Sequence, residues 1–368
     1  MNELIDVYNR LSWMYANDPK FKIYISSDLL FDESDPCNLP YQENYINFKS
    51  SNIEIVPLDD LNNLLKISTN ILIYKYKAII KLLLSKNFHK IEMIDPLYYS
   101  LAESNHMKFS YYNLLDKTTK QEYKEISKAN FNKFKQVHHD KNESYIFVTG
   151  PSFSRYKEIN LNKNSIKIVC NTIIKDTEFL DHIGGPDIIT FADPAFHFSS
   201  NLYASEFRHL VLSTVQKYNC YIAVPQATVP LMLTHYPRLK NRIIGLSFNQ
   251  CINIPDETNL AVKPSGSIIT FIMIPLASAI SSKVYIIGAD GRGKKENYFW
   301  KHNEKVQLTS LMDSVYNTHP SFFRDRSYSG HYKEHCKYFE QLLRFGESKG
   351  TKYSSLTHSY IPALIKRS

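Results

Sequence analysis

The stretch that decides the fold is ESYIFVTGPSFSRYKEI, residues 143–159. An apolar run stops abruptly at Thr149-Gly150-Pro151-Ser152, and a segment with helical spacing follows. Open α/β sheets hold nucleotides where a buried strand breaks into a glycine turn and then a helix. Glycine lets backbone N–H groups approach a phosphate closely, and the helix N-terminus favours its charge.

From residue 143 onward the same grammar repeats. SIKIVCN (165–171), PDIITFAD (186–193), NCYIAVP (219–225), NRIIGLSF (241–248), KVYIIGAD (283–290) and TKYSSLTH (351–358) read as strands. SGSIITFIMIPLASAI (265–280) and GHYKEHCKYFEQLLRFGESKG (330–350) read as helices. Strands without polar alternation, joined by helices, predict an α/β fold with a doubly wound, mostly parallel sheet covered on both faces. Residues 1–142 carry weaker punctuation. FKIYISSD (21–28), IEIVPLDD (53–60), NILIYK (70–75) and HKIEMID (89–95) look like short strands, and AIIKLLLSKN (78–87) like a helix. These predict a smaller α/β domain, with 116–142 as a connecting helix and linker before a second domain at 143–368.

The chain has 368 residues, a size that suits two domains, and 43% hydrophobic residues, enough for a core. Five Cys without paired spacing indicate reduced thiols, a cytoplasmic chain and no zinc knuckle. No signal pattern opens the sequence, and the apolar run at 267–280 is too short to span a bilayer. The net charge of +8 is diffuse, as in KTTKQEYKEISKANFNKFKQ (117–136), and reads first as a solvated face. Its functional alternative is attraction to an anionic nucleotide, glycan or inner-membrane surface. No nucleic-acid-binding signature is present.

In a sheet of this kind ligand groups sit just past the carboxyl ends of strands. Those positions here are Thr149-Gly150-Pro151-Ser152, Asn171, Asp193, Gly288-Ala289-Asp290 and Thr357-His358-Ser359. Any one of them is ordinary turn chemistry; the series points to nucleotide binding. Neither G-x-G-x-x-G nor G-x-x-x-x-G-K-[ST] occurs, which argues against a dinucleotide oxidoreductase and a P-loop NTPase. There is no D-x-D at a strand end and no clustered His/Cys spacing, so no metal is expected.

In order, VTGPSFSRYKEI, IVCN, FADPAF, KPSGSIITFIMIPLA, KVYIIGAD, SGHYKEHCKYFEQL and SSLTHSYIPAL resemble the motifs of the bacterial sialyltransferases of glycosyltransferase family 42. The resemblance covers roughly 143–368. It departs from the family at Asp193 and Ala195, where Asn and Ser are usual, and at Pro264, where Thr is usual. The same opening is shared with a wider group that includes flagellin-modifying Maf proteins and an archaeal pterin pyrophosphokinase.

The resemblance implies a GT-A-like, Rossmann-like variant. It would transfer a sialic-acid-type nonulosonic sugar from a CMP-activated donor to a glycan hydroxyl, with inversion and without a metal or other cofactor. It implies nucleotide contacts from Thr149, Gly150, Pro151, Ser152, Asn171, Asp193, Ser265, Gly266, Gly288, Asp290, His358 and Ser359. His331 would be the general base, a task suited to a side chain that titrates near working pH. His319 and His335 stand as fallbacks among the thirteen His of the chain. Tyr298 and Arg292 would stabilise the departing phosphate, Arg292 standing where the family has a second Tyr. Two alternatives stay open. One is a Mg-ATP-dependent pyrophosphokinase holding its metal with Asp193 and Asp290, and the other is a nucleotide-sugar-binding module without turnover. Peripheral contact with the inner membrane and self-association are the remaining expectations.

Overall fold

A computed structural model of the chain describes residues 3–15, 18, 20–26, 29, 52–74, 88–108, 111–292, 304–324 and 328–368. The helix expected at 78–87 and Tyr298 lie outside the described residues.

The first four strands form two separate parallel pairs. β1 (Ile23–Ser26) pairs with β2 (Ile53–Val56), and β3 (Ile71–Ile73) with β4 (Ile91–Met93). The rest build one sheet: β5 (Glu143–Phe147), β6 (Ile166–Cys170), β7 (Ile188–Thr190), β8 (Tyr221–Pro225), β9 (Ile243–Phe248), β10 (Ala261–Val262), β11 (Lys283–Ile287) and β12 (Lys352–Ser355). Its order is β10-β9-β8-β7-β6-β5-β11-β12, and every neighbouring pair is parallel. The chain therefore walks outward from β5 to β10, then crosses back to lay β11 on the other side of β5. The α/β class and the parallel sheet agree with the sequence reading. β10, two residues long, carries too little pattern to be read in advance.

The lack of alternation has a direct cause. Tyr145, Phe147, Val169, Ile189, Ile222 and Val224 pack into one core, while Ile146, Val148, Ile168, Cys170, Ile188 and Ala223 pack into another. Successive side chains of a strand point to opposite faces, so both faces of the sheet are buried. One is covered by the helices Glu3–Tyr15, Leu202–Tyr218 and Val229–His235. Lys117–Val137, Ile274–Ile280 and Tyr328–Ser348 cover the other. Among the described residues no helix is long and apolar enough to cross a membrane.

Burial does not stop at residue 142. In the helix Lys117–Val137, expected as a connector, Phe131 and Phe134 are wholly buried against the sheet. Asn130 Nδ2 donates to the carbonyls of Lys240 (2.9 Å) and Ile243 (2.7 Å). Asp116 caps the helix start by accepting the Thr119 N–H at 2.7 Å. The helix Glu3–Tyr15 is buried at every residue from Leu4 on. Trp13 donates its indole N–H to the Phe198 carbonyl at 2.6 Å and stacks on His235, ring centroids 3.8 Å apart. Arg208, wholly buried, lies over the same indole at 4.0 Å.

Arg10 is the most constrained of the buried charges. Its Nε donates to Asp6 Oδ2 (3.0 Å), its Nη1 to Glu103 Oε2 (2.8 Å), and its Nη2 to the Thr318 carbonyl. The N-terminal segment is thus tied to residue 318 through the interior.

Candidate active site

The loops after β5 and β11 were expected to contact a nucleotide, because they follow the carboxyl ends of strands. They close on each other instead. Gly150 N–H donates to the Gly288 carbonyl at 2.9 Å. Ser152 donates its backbone N–H (3.1 Å) and its hydroxyl (2.9 Å) to the Asp290 carboxylate. A Cβ at Gly150 would lie 2.2 Å from Asp290 Oδ2, so the glycine serves this contact. At Gly288 (φ +77°) a Cβ would lie 2.1 Å from the Val148 carbonyl oxygen. The first turn of the 3₁₀ run Pro151–Glu158 therefore receives an anion from the protein itself. Burial raises the Asp290 pKa above the usual carboxylate range, and the Ser152 bonds oppose the rise.

The β12 end is knit into the same closure. The Gly288 N–H donates to Thr357 Oγ1 at 3.0 Å, and Ser359 Oγ donates to the Ala289 carbonyl at 2.7 Å. His358 is exposed and packs edge-on to Tyr360. Gly150, Pro151, Ser152, Gly288, Asp290, His358 and Ser359 thus do not line the cavity described next. Gly150, Ser152, Gly288, Asp290 and Ser359 hold β5, β11 and β12 together.

The open space lies one step along the sheet, beyond the carboxyl ends of β5, β6 and β7. It is a cavity of about 750 Å³, walled by Thr149, Asn171, Asp193, Ser265, Gly266 and His331 together with Phe196, His197, Glu103, Gln307, His319, Phe322 and Phe323. That volume suits a nucleotide-sized ligand. Six of the expected positions meet there from separate stretches of chain. Asn171 has a left-handed backbone, φ 50°, uncommon outside glycine. Its buried Oδ1 meets no donor among the described residues. Asn tolerates that backbone, so the unsatisfied Oδ1 facing the cavity is the feature that asks for a partner. Asp193 Oδ1 accepts from the Ala195 N–H (2.9 Å) and the Phe196 N–H (3.2 Å), holding the turn that follows β7. Among the described lining residues there is no Lys or Arg, so the basic lining expected for an anionic donor is not found among them.

His331 stands in the first turn of the helix Tyr328–Ser348, with its ring against Gly266. A Cβ at Gly266 would lie 1.9 Å from His331 Cε1 and 2.4 Å from Nε2. Gly266 thus seats the imidazole. Ser265 Oγ is itself fixed by Thr270 Oγ1 at 2.8 Å. His335 lies outside the cavity wall, edge-on to Phe339, and burial followed by the nearby His331 pushes its pKa down to about 4. His319 reaches the cavity with both ring nitrogens engaged. Nδ1 meets Thr318 Oγ1 at 2.8 Å, while Nε2 lies 3.2 Å from Glu103 Oε2 and 3.3 Å from Arg10 Nη1. Burial alone would raise the Glu103 carboxyl; Arg10 and His319 outweigh it and hold it at about 2. Arg292 is not in the cavity wall. Its guanidinium lies over the Tyr332 ring at 4.7 Å, and its N–H donates to Tyr332 Oη at 3.1 Å. Tyr298 lies outside the described residues, so the leaving-group pair has no geometry here.

Two features escape the sequence reading. The N-terminal segment contributes Ser100, Leu101, Glu103 and Ser104 to the wall. His197, four residues past Asp193, lines the floor and is 4% exposed. The available signal for His197 was its spacing in FADPAFHF, which puts it one turn beyond a strand-end carboxylate. Among the described residues, no group of three or more His, Cys, Asp or Glu is placed to hold a metal ion. No protein-family model, curated protein or solved structure matches the chain.

Proposed function

We propose that the protein is a glycosyltransferase that moves a nonulosonic sugar from a CMP-activated donor to a glycan hydroxyl, within a Rossmann-like, GT-A-like variant of the α/β fold. One observation carries the reading. Thr149, Asn171, Asp193, Ser265, Gly266 and His331, separate in sequence, meet at one cavity at the carboxyl ends of parallel strands. Thr149 and Asn171 offer hydroxyl and amide groups to the donor. His331 enters from a different segment and faces the same space, as a base serving the acceptor hydroxyl must. Removing that proton as the C–O bond to the anomeric carbon forms leaves CMP as the departing group.

The pyrophosphokinase alternative asks Asp193 and Asp290 for a metal. Asp290 accepts from Ser152 through both carboxylate oxygens, and Asp193 caps its own turn, so the two carboxylates already serve the backbone. The test is a thermal-shift comparison of CMP, UDP, GDP and ATP with and without Mg²⁺, since a ligand that binds the native state raises its melting temperature. CMP alone should give the largest rise. A rise with Mg-ATP and none with CMP overturns the proposal.

A further inference from the structure

We propose that His197 is a built hydrogen-bond donor of the cavity, its Nε2–H presented to an anionic oxygen of the ligand, phosphate or carboxylate. The tautomer follows from one bond. The Asp193 backbone N–H donates to His197 Nδ1 at 3.0 Å. A backbone N–H can only donate, so Nδ1 carries a lone pair and the ring proton of the neutral imidazole sits on Nε2. Nε2 bonds to no protein group among the described residues, yet it is not sealed from solvent as the orphaned buried atoms are. In a side chain only 4% exposed that lines the cavity, the opening is the cavity. A donor open only to the cavity bonds water there until a ligand oxygen takes that water's place.

The surroundings say what the acceptor is. Burial, and after it the nearby Arg208, pushes the His197 pKa down to about 3, so the ring stays neutral at working pH and its proton stays on Nε2. Arg208 donates through Nη1 to the His197 carbonyl at 3.0 Å and to the Ser199 carbonyl at 2.8 Å. A buried guanidinium bonded to the backbone of the same residue favours negative charge nearby. The two carboxylates among the described wall residues are both engaged: Asp193 accepts from the Ala195 and Phe196 N–H groups, and Glu103 is paired with Arg10 and His319. Phe191 and Phe207 pack against the ring at centroid distances of 5.6 and 4.4 Å, which fixes its plane. The result is a rigid donor whose charge does not change across physiological pH, in a wall whose described residues include no Lys or Arg. The inference rests on the transferase reading only for the identity of the ligand.

The test uses the full-length protein with ¹⁵N-labelled histidine. In the free protein, the His197 resonances assigned by loss in His197→Gln should show one bare and one protonated nitrogen. Titration with inorganic phosphate, CMP or a free sialic acid should shift the Nε2–H signal saturably. The CMP and sialic-acid arms separate a phosphate from a carboxylate contact. Binding of the responsive ligand should weaken roughly tenfold to a hundredfold in His197→Phe and much less in His197→Gln, which keeps a neutral N–H donor; cytidine binding should not change. If Nε2–H is unmoved by all three probes, the assignment is overturned, whatever the variants do. A Nε2–H signal that moves with phosphate in a protein that does not bind CMP overturns the CMP reading and keeps His197. CMP binding with a stationary signal does the reverse.

Discussion

Gly266→Ala isolates the seating of His331 from its chemistry. Gly266 does not have the left-handed backbone that would make any side chain strained, so alanine adds a methyl and little else. That methyl would lie 1.9 Å from Cε1 of His331 and 2.4 Å from Nε2. Ordinary carbon contacts are about 3.5–4.0 Å, so the ring must retreat by roughly 1.5–2 Å. A displacement of about 1 Å in a reacting group can cost on the order of 10²-fold in rate. That factor corresponds to about 2.7 kcal/mol of lost transition-state stabilisation. The assay is transfer from a CMP-sugar to a glycan acceptor under saturating donor, with CMP affinity measured in parallel. Turnover should fall about a hundredfold while CMP affinity changes little. In the double variant Gly266→Ala, His331→Ala the glycine change should cost nothing beyond His331→Ala, because it acts through a ring no longer present. Gly266→Ala turnover within about twofold of wild type, or additive losses in the double variant, would refute this account of the contact.

Three further outcomes are expected. His331→Ala should lose about 10²–10⁴-fold in transfer and keep its CMP thermal shift, whereas His319→Ala should chiefly lower the melting temperature; the reverse pattern would move the base to His319. Phe134→Ala should cost about 3–5 kcal/mol in denaturant unfolding, and a 143–368 fragment should show no cooperative melt, since it lacks the helix that covers β9; a fragment melting like the whole chain would make that helix dispensable. Stability should fall as pH drops below 6.5, because His106, His235 and His335, held at about 4, and His197, at about 3, bind protons more readily once unfolded. Glu103, held at about 2 against an ordinary 4.5, adds a second loss as pH falls between those values. A melting temperature constant from pH 7 to 4.5 would contradict the first limb.

What was legible in the sequence is what one strand can carry by itself. Ile146 and Phe147 are apolar because each faces a covered side of the sheet, and that pattern reads without knowing either cover. Thr149, Asn171 and Asp193 were found because a strand end is a local event. What those residues contact is not local. Gly150 and Asp290 look like nucleotide-loop residues in the sequence, but Gly150 bonds Gly288 and Asp290 bonds Ser152, each partner 138 residues away in the chain. A strand-end carboxylate that completes a turn and one that awaits a ligand are written alike. The helix Glu3–Tyr15 went unread for a related reason. A helix exposed on one face shows its period, but Glu3–Tyr15 is buried nearly all round, with Asp6 and Arg10 inside, so it has no polar face to advertise.

The buried charges of that helix explain why residues 1–142 bear on the cavity at all. Arg10 binds Asp6 on its own helix and Glu103 on the cavity wall. Glu103 in turn meets His319, and Arg10 donates to the carbonyl of Thr318 beside it. A guanidinium between two carboxylates tolerates burial only while every partner stays in place, and removing one leaves an uncompensated charge at a cost of about 3–5 kcal/mol. Such a cluster is costly to build and adds little net stability over apolar packing. What it provides is a fixed position. It locks the 102–108 helix and residues 318–319 to the N-terminal helix. Together these carry part of the cavity wall, beside the turn that holds His197. On the proposed transferase reading, the N-terminal segment would thereby hold part of the wall that the substrates contact.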